Sequence, residues 1–500
     1  MKDYLKELKQ FLKLGIPIYG SQASYAAMGL TDTIVAGRAG AVELSGVAIG
    51  SSVANPLFFS LSGLMFAITP IVAHLFGAKR IKDISLKMKE VIWIALGVGL
   101  ILTLAYPLAG SLLRFSSIDK EILEVTFGYL SALSIGATAI VLFTALRCFS
   151  EGITQTRPVF WVAFIGMLVN IPLDIILVNG YFGLPKLGGV GCGLATSFVS
   201  IVMLICMTIV IQKGNPFKEI KIFNEMKFPK LSTLKELMAL GIPIGIGIFV
   251  ELSMFSGAAI ILGPLGDVVV ASHAVALSIA SFFFMMPLSI GLASATRVGN
   301  LLGANNFNGA KIASFFSVGL CLIGALINVS LILLFTDVLV NLFTTEKAVF
   351  AAAVNLLIFA AIFQLPDGIQ MGALGSLRGY KDTFIPMIFL GVAYWIFGLP
   401  IGYYLTYYGI NEPMGAGGVW IGMIVGLTIA AVLLINRLRK NFLTNYLFNS
   451  LAYVQQTFSN MDATFLKFRN LICSCSFAAC NYGASMSHPF SGRSCLTSNV

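Results

Sequence analysis

About twelve apolar stretches follow one another along this chain, at 14–36, 45–76, 90–113, 122–146, 158–179, 189–211, 238–263, 268–302, 311–336, 348–376, 384–408 and 415–436. A helix of about 20 apolar residues crosses the ~30 Å hydrocarbon core of a bilayer. The breaks between stretches carry turn residues, among them Gly37–Gly40, Gly77–Lys79, Asn179–Gly180, Gly214–Pro216, Gly303–Asn306 and Asn411–Pro413. The pattern predicts an all-α integral membrane protein with twelve transmembrane helices. Met1–Lys13 has alternating charges and no apolar centre. It reads as an amphipathic helix lying at the interface, and not as a signal peptide.

The pattern also repeats. Leu14-Gly-Ile-Pro-Ile18 returns as Leu240-Gly-Ile-Pro-Ile244, an offset of 226. Without a gap, the same offset pairs Met28 with Met254, Gly40 with Gly266, Phe58 with Phe284, and Gly77-Ala78 with Gly303-Ala304. Further on, Leu146-Arg147 pairs with Leu377-Arg378, Pro172 with Pro400, and Gly188-Gly-Val190 with Gly417-Gly-Val419. The chain is thus expected to hold two homologous six-helix bundles. Six is even, so both copies enter the membrane from the same side and form parallel repeats, a transporter architecture. The expected divisions are a first bundle at 1–211, a basic linker at 212–236, a second bundle at 237–440 and a polar tail rich in Ser and Cys, expected to be disordered, at 441–500.

Composition agrees with this picture. Of 500 residues 57% are apolar and 11% charged, against about 25% charged in soluble domains. The net charge of +10 would suggest nucleic acid in a soluble protein. Here it is a matter of topology: with the N-terminus in the cytoplasm, 27 of the 32 Lys and Arg fall on the cytoplasmic side, leaving Arg38, Arg114, Lys120, Lys186 and Lys347 opposite. This is a positive-inside pattern. It places both termini in the cytoplasm and removes the case for a nucleic-acid partner. Cys148, Cys192, Cys206 and Cys321 sit in apolar runs and read as small packed residues. Cys473, Cys475, Cys480 and Cys495 crowd the tail without paired metal spacing.

Four carboxylates interrupt the apolar runs: Asp32, Asp174, Glu251 and Asp367. A charge at mid-membrane costs at least about 2.5–3.5 kcal/mol and marks a functional site by default. In the repeat, these acids align with Ala258, Gly402, Tyr25 and, approximately, Gly136. The fold therefore manages without an acid at each position. Asn170 and Asp174 are four apart and share a helix face, with Pro172 between them. Thr196 adds an oxygen from the next span. With Asp32 they form an all-oxygen set suited to sodium. Glu251 and Asp367 are expected to share a proton or sodium in the second bundle, beside a helix kinked at Pro366. Arg147 and Arg378 end equivalent helices and read as structural. His74 and His273 read as core residues, and Phe282–Met286 would give soft contacts to bulky ligands, although most such residues at helical spacing face lipid or core.

The stretches Met28–Gly37, Ala145–Arg147, Asn170–Leu173, Gly188–Thr196, Pro287–Gly291, Arg297–Gly299 and Gly375–Asp382 resemble the MATE (multidrug and toxic compound extrusion) family, most closely its NorM-like branch, over about residues 5–440. The resemblance implies two lobes in a V that opens alternately inward and outward. It also implies export of bulky, often cationic or amphipathic organic compounds, coupled to Na+ or H+, from the bacterial cytoplasmic membrane. It places Glu251 and Asp367 at the second-lobe cation positions, Asp32 at the first-lobe acid, and Asn170, Asp174 and Thr196 around it. Phe363 stands where relatives often have Tyr, and Ser272-His-Ala274 where they commonly read Ala-His-Gln. Asp174, an amide in some relatives, strengthens the first-lobe site. No cofactor is expected beyond the coupling ion, and the chain is expected to be a monomeric transporter, not an enzyme. The alternative is a flippase for lipid-linked precursors, which would need basic residues within the spans. ATP hydrolysis would need a phosphate-binding GxxxxGK[ST] loop, which the sequence lacks.

Overall fold

The computed structural model describes residues 2–115, 118–225, 227–344 and 346–442. The tail expected at 441–500 lies, from 443 onward, outside the described residues. The first bundle consists of α1 (Lys2–Ala39), α2 (Ala41–Gly77), α3 (Ile81–Leu112), α4 (Lys120–Gly152), α5 (Arg157–Asn179) and α6 (Gly189–Lys213). The second consists of α7 (Leu231–Leu262), α8 (Asp267–Gly303), α9 (Phe307–Leu334), α10 (Lys347–Gly379), α11 (Phe384–Tyr407) and α12 (Ala416–Phe442). Eleven of these are long and apolar enough to span a membrane, and α1 supplies the twelfth. Its C-terminal half is interrupted by Ser21, Gln22, Ser24, Thr31, Asp32 and Thr33.

Prolines recur inside the helices, at Pro17, Pro172, Pro243, Pro287 and Pro366 among others. Neighbouring helices in a bundle tolerate them by satisfying the freed carbonyls. In α11, Val392–Gly398 winds as a π-helix, an extra-residue turn often found at functional sites. It turns Tyr394 into the core, where its hydroxyl donates to Gln370 Oε1 at 2.5 Å. The next residue, Trp395, is half exposed, and its indole donates to Ser253 Oγ at 3.1 Å.

Each bundle has its own apolar core. The two are joined because the first helix of each packs on the second helix of the other, α1 on α8 and α7 on α2. Gly63 and Gly245 allow the α2–α7 backbones to touch, since a Cβ on either would overlap the other helix's main chain. Small residues provide such approaches within a membrane, where apolar burial drives association little.

The start of the chain departs from the sequence expectation. Residues from Lys2 onward continue into α1 without a break and do not form a separate interfacial helix. Phe11, Leu14 and Ile18 are buried against Ile290, Val298 and Leu301 of α8 and Ala310, Ala313 and Cys321 of α9. Glu7 forms a two-pronged ion pair with Arg297, at 2.9 and 2.5 Å. The alternating charges of Met1–Lys13 therefore reflect a helix with one face on the second bundle.

These contacts belong to one end of the molecule, the end rich in Lys and Arg. There His74 Nε2 lies 2.7 Å from the Gly379 carbonyl, and Glu236 of α7 bridges Lys87 of α3 and Lys381. Between the bundles, α6 extends to Lys213 and α7 begins at Leu231, so helix runs into the basic stretch from both sides.

Candidate functional site

The first-bundle acids meet as the spacing suggested. Asn170 and Asp174, one turn apart on α5, are both buried, at 1% and 0% exposure, and Asp32 on α1 is buried beside them. Asp174, Thr196 and Asn170 all face Asp32. Thr196 Oγ1 donates to Asp32 Oδ2 at 3.2 Å. Asp32 Oδ1, both Asp174 carboxylate oxygens and Asn170 Oδ1 are buried without a protein hydrogen-bond donor. Buried carboxylates are ordinarily paired or hydrogen-bonded. This group, in which acceptors outnumber donors, is suited to taking up a cation or a proton.

Two further residues belong to the cluster. Cys192, one turn before Thr196 on α6, is fully buried, and its thiol donates to the Asp32 backbone carbonyl at 3.6 Å. Its sulfur and one oxygen each from Asp32 and Asp174 lie within 4.8 Å of one another. The reading of Cys192 as a packed hydrophobe is thereby corrected: it fills space, and it also points at the acids. Glu43 at the start of α2 acts from a distance. Its carboxylate accepts from the Gly189 N–H at 2.5 Å, the first residue of α6. Gly188, with φ of 55°, passes so close to this carboxylate that a Cβ would overlap it. Glycine at 188 therefore has two reasons, a left-handed backbone and a carboxylate seated on the helix N-terminus. In the repeat Glu43 aligns with Val269, so the second bundle has no acid at the equivalent position.

The second-bundle acids also approach one another. Asp367 on α10 is buried, Glu251 on α7 is half buried, and the two interact electrostatically. Arg378 interacts with Glu251 from the last turn of α10. The first bundle holds the same pair in altered form: Arg147 lies 5.8 Å from the centre of the Tyr25 ring, and Tyr25 is the repeat partner of Glu251. Arg147 is in addition 3.6 Å from Glu151. Arg378 thus faces an acid where Arg147 faces an aromatic ring.

Polar groups in the second bundle are paired in part, while Ser317 Oγ, Gln370 Nε2 and both His273 ring nitrogens are buried without a partner. Asn328 donates to Gln364 Oε1 at 3.1 Å and to the Phe283 carbonyl at 2.9 Å, and Gln364 donates to the Ala280 carbonyl at 3.1 Å. Phe363 packs between Phe255 and Trp420, with ring centres 6.2 and 5.8 Å away. His273 lies against Trp420 at 5.7 Å and is buried, in keeping with a core residue. Met286 of the Phe282–Met286 run packs toward Gly324, whereas Phe282 is half exposed. Sequence reasoning missed the Asn328–Gln364 and Tyr394–Gln370 pairs, because an amide in an apolar run does not reveal its partner.

Known proteins share this fold. The family model described as MatE matches residues 17–176 and 243–404, one match in each bundle. The chain is 38% identical over 441 residues to "Multidrug resistance protein NorM" of Photobacterium profundum, covering 88% of this chain and 96% of that protein. It is 38% identical over 440 residues to the protein of the same name from Vibrio cholerae, covering 88% and 96%. Among solved structures, the eukaryotic MATE transporter AtDTX14 superposes with a TM-score of 0.80 at 21% identity, covering 88% of this chain and 98% of that one; this likeness shows the fold. With two matches to the family model and close relatives over nearly nine-tenths of its length, the chain belongs to the MatE family, as a multi-pass membrane protein of twelve helices.

Proposed function

We propose that this chain exports bulky, often cationic or amphipathic organic compounds by alternating access, coupled to Na+ or H+, and that its Lys- and Arg-rich end, with both termini, faces the cytoplasm. The observation that carries the reading is the set of buried acceptors Asp32 Oδ1, Asp174 Oδ1 and Oδ2, and Asn170 Oδ1, which no protein donor reaches. A cation or proton there offsets the cost of burying two carboxylates in the membrane. Thr196 holds one Asp32 oxygen and leaves the other to the ion. Glu251 and Asp367 offer a second acidic position in the other bundle. The multidrug resistance names of the relatives support organic substrates.

The bundles are joined at the basic end through Glu7–Arg297, Lys87–Glu236 and His74–Gly379. Inward opening must break these contacts. An ion drives the exchange only through its different affinity for the two states, and the acids within the bundles are the groups that register it. The test is ethidium export from proteoliposomes under separate sodium and pH gradients. One of the gradients should drive export. Export that ignores both, or that survives in an Asp32→Asn/Asp367→Asn double variant, would overturn the proposal.

A further inference from the structure

We infer that Cys192 makes the first-bundle acid cluster a binding site for a thiophilic divalent cation of the zinc or cadmium type. Such an ion would inhibit transport by occupying Asp32. The inhibition rests on the function proposed above; the binding does not. Among the described residues, Asp32, Asp174 and Cys192 are the one group of Cys, His and carboxylate side chains gathered closely enough to hold a metal ion. All three are buried.

The dimensions suit such an ion. Three ligand atoms within 4.8 Å of one another share a point no more than about 2.8 Å from each (4.8 divided by the square root of three), against zinc–sulfur and zinc–oxygen bonds of about 2.3 and 2.0–2.2 Å. A contraction of well under an ångström at each ligand closes the site, and cadmium, being larger, needs less. An independent observation points the same way: both carboxylate oxygens of Asp174, a side chain with 0% exposure, have no hydrogen-bond partner, and neither has Asn170 Oδ1 one turn away. Two carboxylates and a thiolate carry enough negative charge to match a divalent ion.

The chemistry separates this ligand from sodium. A hard monovalent ion gains little from sulfur, whereas thiolate selects soft and borderline metals. Binding breaks the Cys192 S–H bond, forms a sulfur–metal bond and releases the proton to water, with no change in oxidation state. The thiol's hydrogen bond to the Asp32 carbonyl is given up in the process. Serine at 192 would leave an all-oxygen set and remove the preference.

Cadmium titrated into the purified full-length protein should develop the ultraviolet absorbance of a thiolate–cadmium bond. The wild type should exceed Cys192→Ala by one equivalent, Cys206→Ala should match the wild type, and Asp174→Asn should bind at least tenfold more weakly. The other seven cysteines contribute equally to wild type and Cys192→Ala and cancel in the difference. Cys192→Ser, checked for an unchanged melting temperature, guards against a folding defect. In proteoliposomes, the cadmium concentration that halves ethidium export should rise at least tenfold in Cys192→Ala. Equal absorbance in wild type and Cys192→Ala would overturn the site. Absorbance that depends on Cys192, with export indifferent to cadmium, would overturn the inhibition. A failure of ethidium export itself counts against the transport reading and leaves the binding result to decide the site.

Discussion

Gly303 packs directly against the backbone carbonyl of His74. Gly77 does the same against Asn300. The offset of 226 converts Gly77 into Gly303 and His74 into Asn300. One contact is therefore made twice, each bundle placing a glycine on the other's carbonyl at the end of α2 or α8. A methyl group at either glycine overlaps a carbonyl, not a flexible side chain, so the helices must separate. Overpacking of this kind costs about 1–3 kcal/mol. Gly77→Ala and Gly303→Ala should each shift the protein away from the joined state, and the double variant further. Distances between spin labels on α2 and α8 at the basic end should lengthen; unchanged distances would count against a closely fitted contact.

The Glu7–Arg297 pair holds the same end by charge. It is bidentate, and the side chains retain 10% and 19% exposure. Removing one partner of a fully buried pair costs about 3–5 kcal/mol; partial exposure lowers the expectation for Glu7→Gln to about 1–3 kcal/mol. The bridge from Glu236 to Lys87 and Lys381 is more exposed, at 26–33%, and each of its arms contributes about 0–1 kcal/mol. Thermal unfolding in detergent should show a clear loss for Glu7→Gln that is largely insensitive to salt. Glu236→Gln should show a small loss that disappears at high salt.

Thr196 is the hydrogen-bond donor to the Asp32 carboxylate. Bonds to charged groups contribute about 1.5–3 kcal/mol, and 1.4 kcal/mol corresponds to a factor of ten. Thr196→Val should therefore move the cation concentration giving half-maximal export by about ten- to a hundredfold while maximal export persists. Thr196→Ser should restore the wild-type value. Asp32→Asn should abolish export at every cation concentration, with the protein still present in the membrane.

Glu43 should matter for α6 and, through it, for the cluster. Loss of a helix cap costs about 0.5–2 kcal/mol. Glu43→Leu is expected to lower the melting temperature and weaken export, whereas Glu43→Gln, which keeps an acceptor for the Gly189 N–H, should lose less. Equal effects of the two would show that bulk, and not the acceptor, is what α6 requires.

Much of this was legible in the sequence, for identifiable reasons. Spans are legible because a membrane demands long apolar runs. The acids stand out because charge is rare in such runs, and Asn170 and Asp174 declare a common face by their spacing. Contacts between distant helices leave no such trace. Cys192 meets Asp32 across 160 residues, and a cysteine in an apolar helix looks the same whether it faces lipid, core or acid. The repeat paired Gly77 with Gly303 as equivalents, but equivalence does not say that two positions meet across an axis. The charges of Met1–Lys13 gave an amphipathic helix correctly and its setting wrongly, because the face that looked suited to lipid headgroups has Arg297 as its partner.

The polar character of α1 bears on how the protein is made. This helix is synthesised before the other eleven, yet it is the spanning helix that falls short of them in apolar character. Partitioning into lipid on its own would expose Asp32, Thr31 and Thr33 to hydrocarbon before α5 and α6 exist to receive them. Stable insertion of α1 is therefore expected to depend on Asn170, Asp174 and Thr196, which receive Asp32 in the folded bundle. The polar residues that α1 carries thus make its insertion a cooperative event.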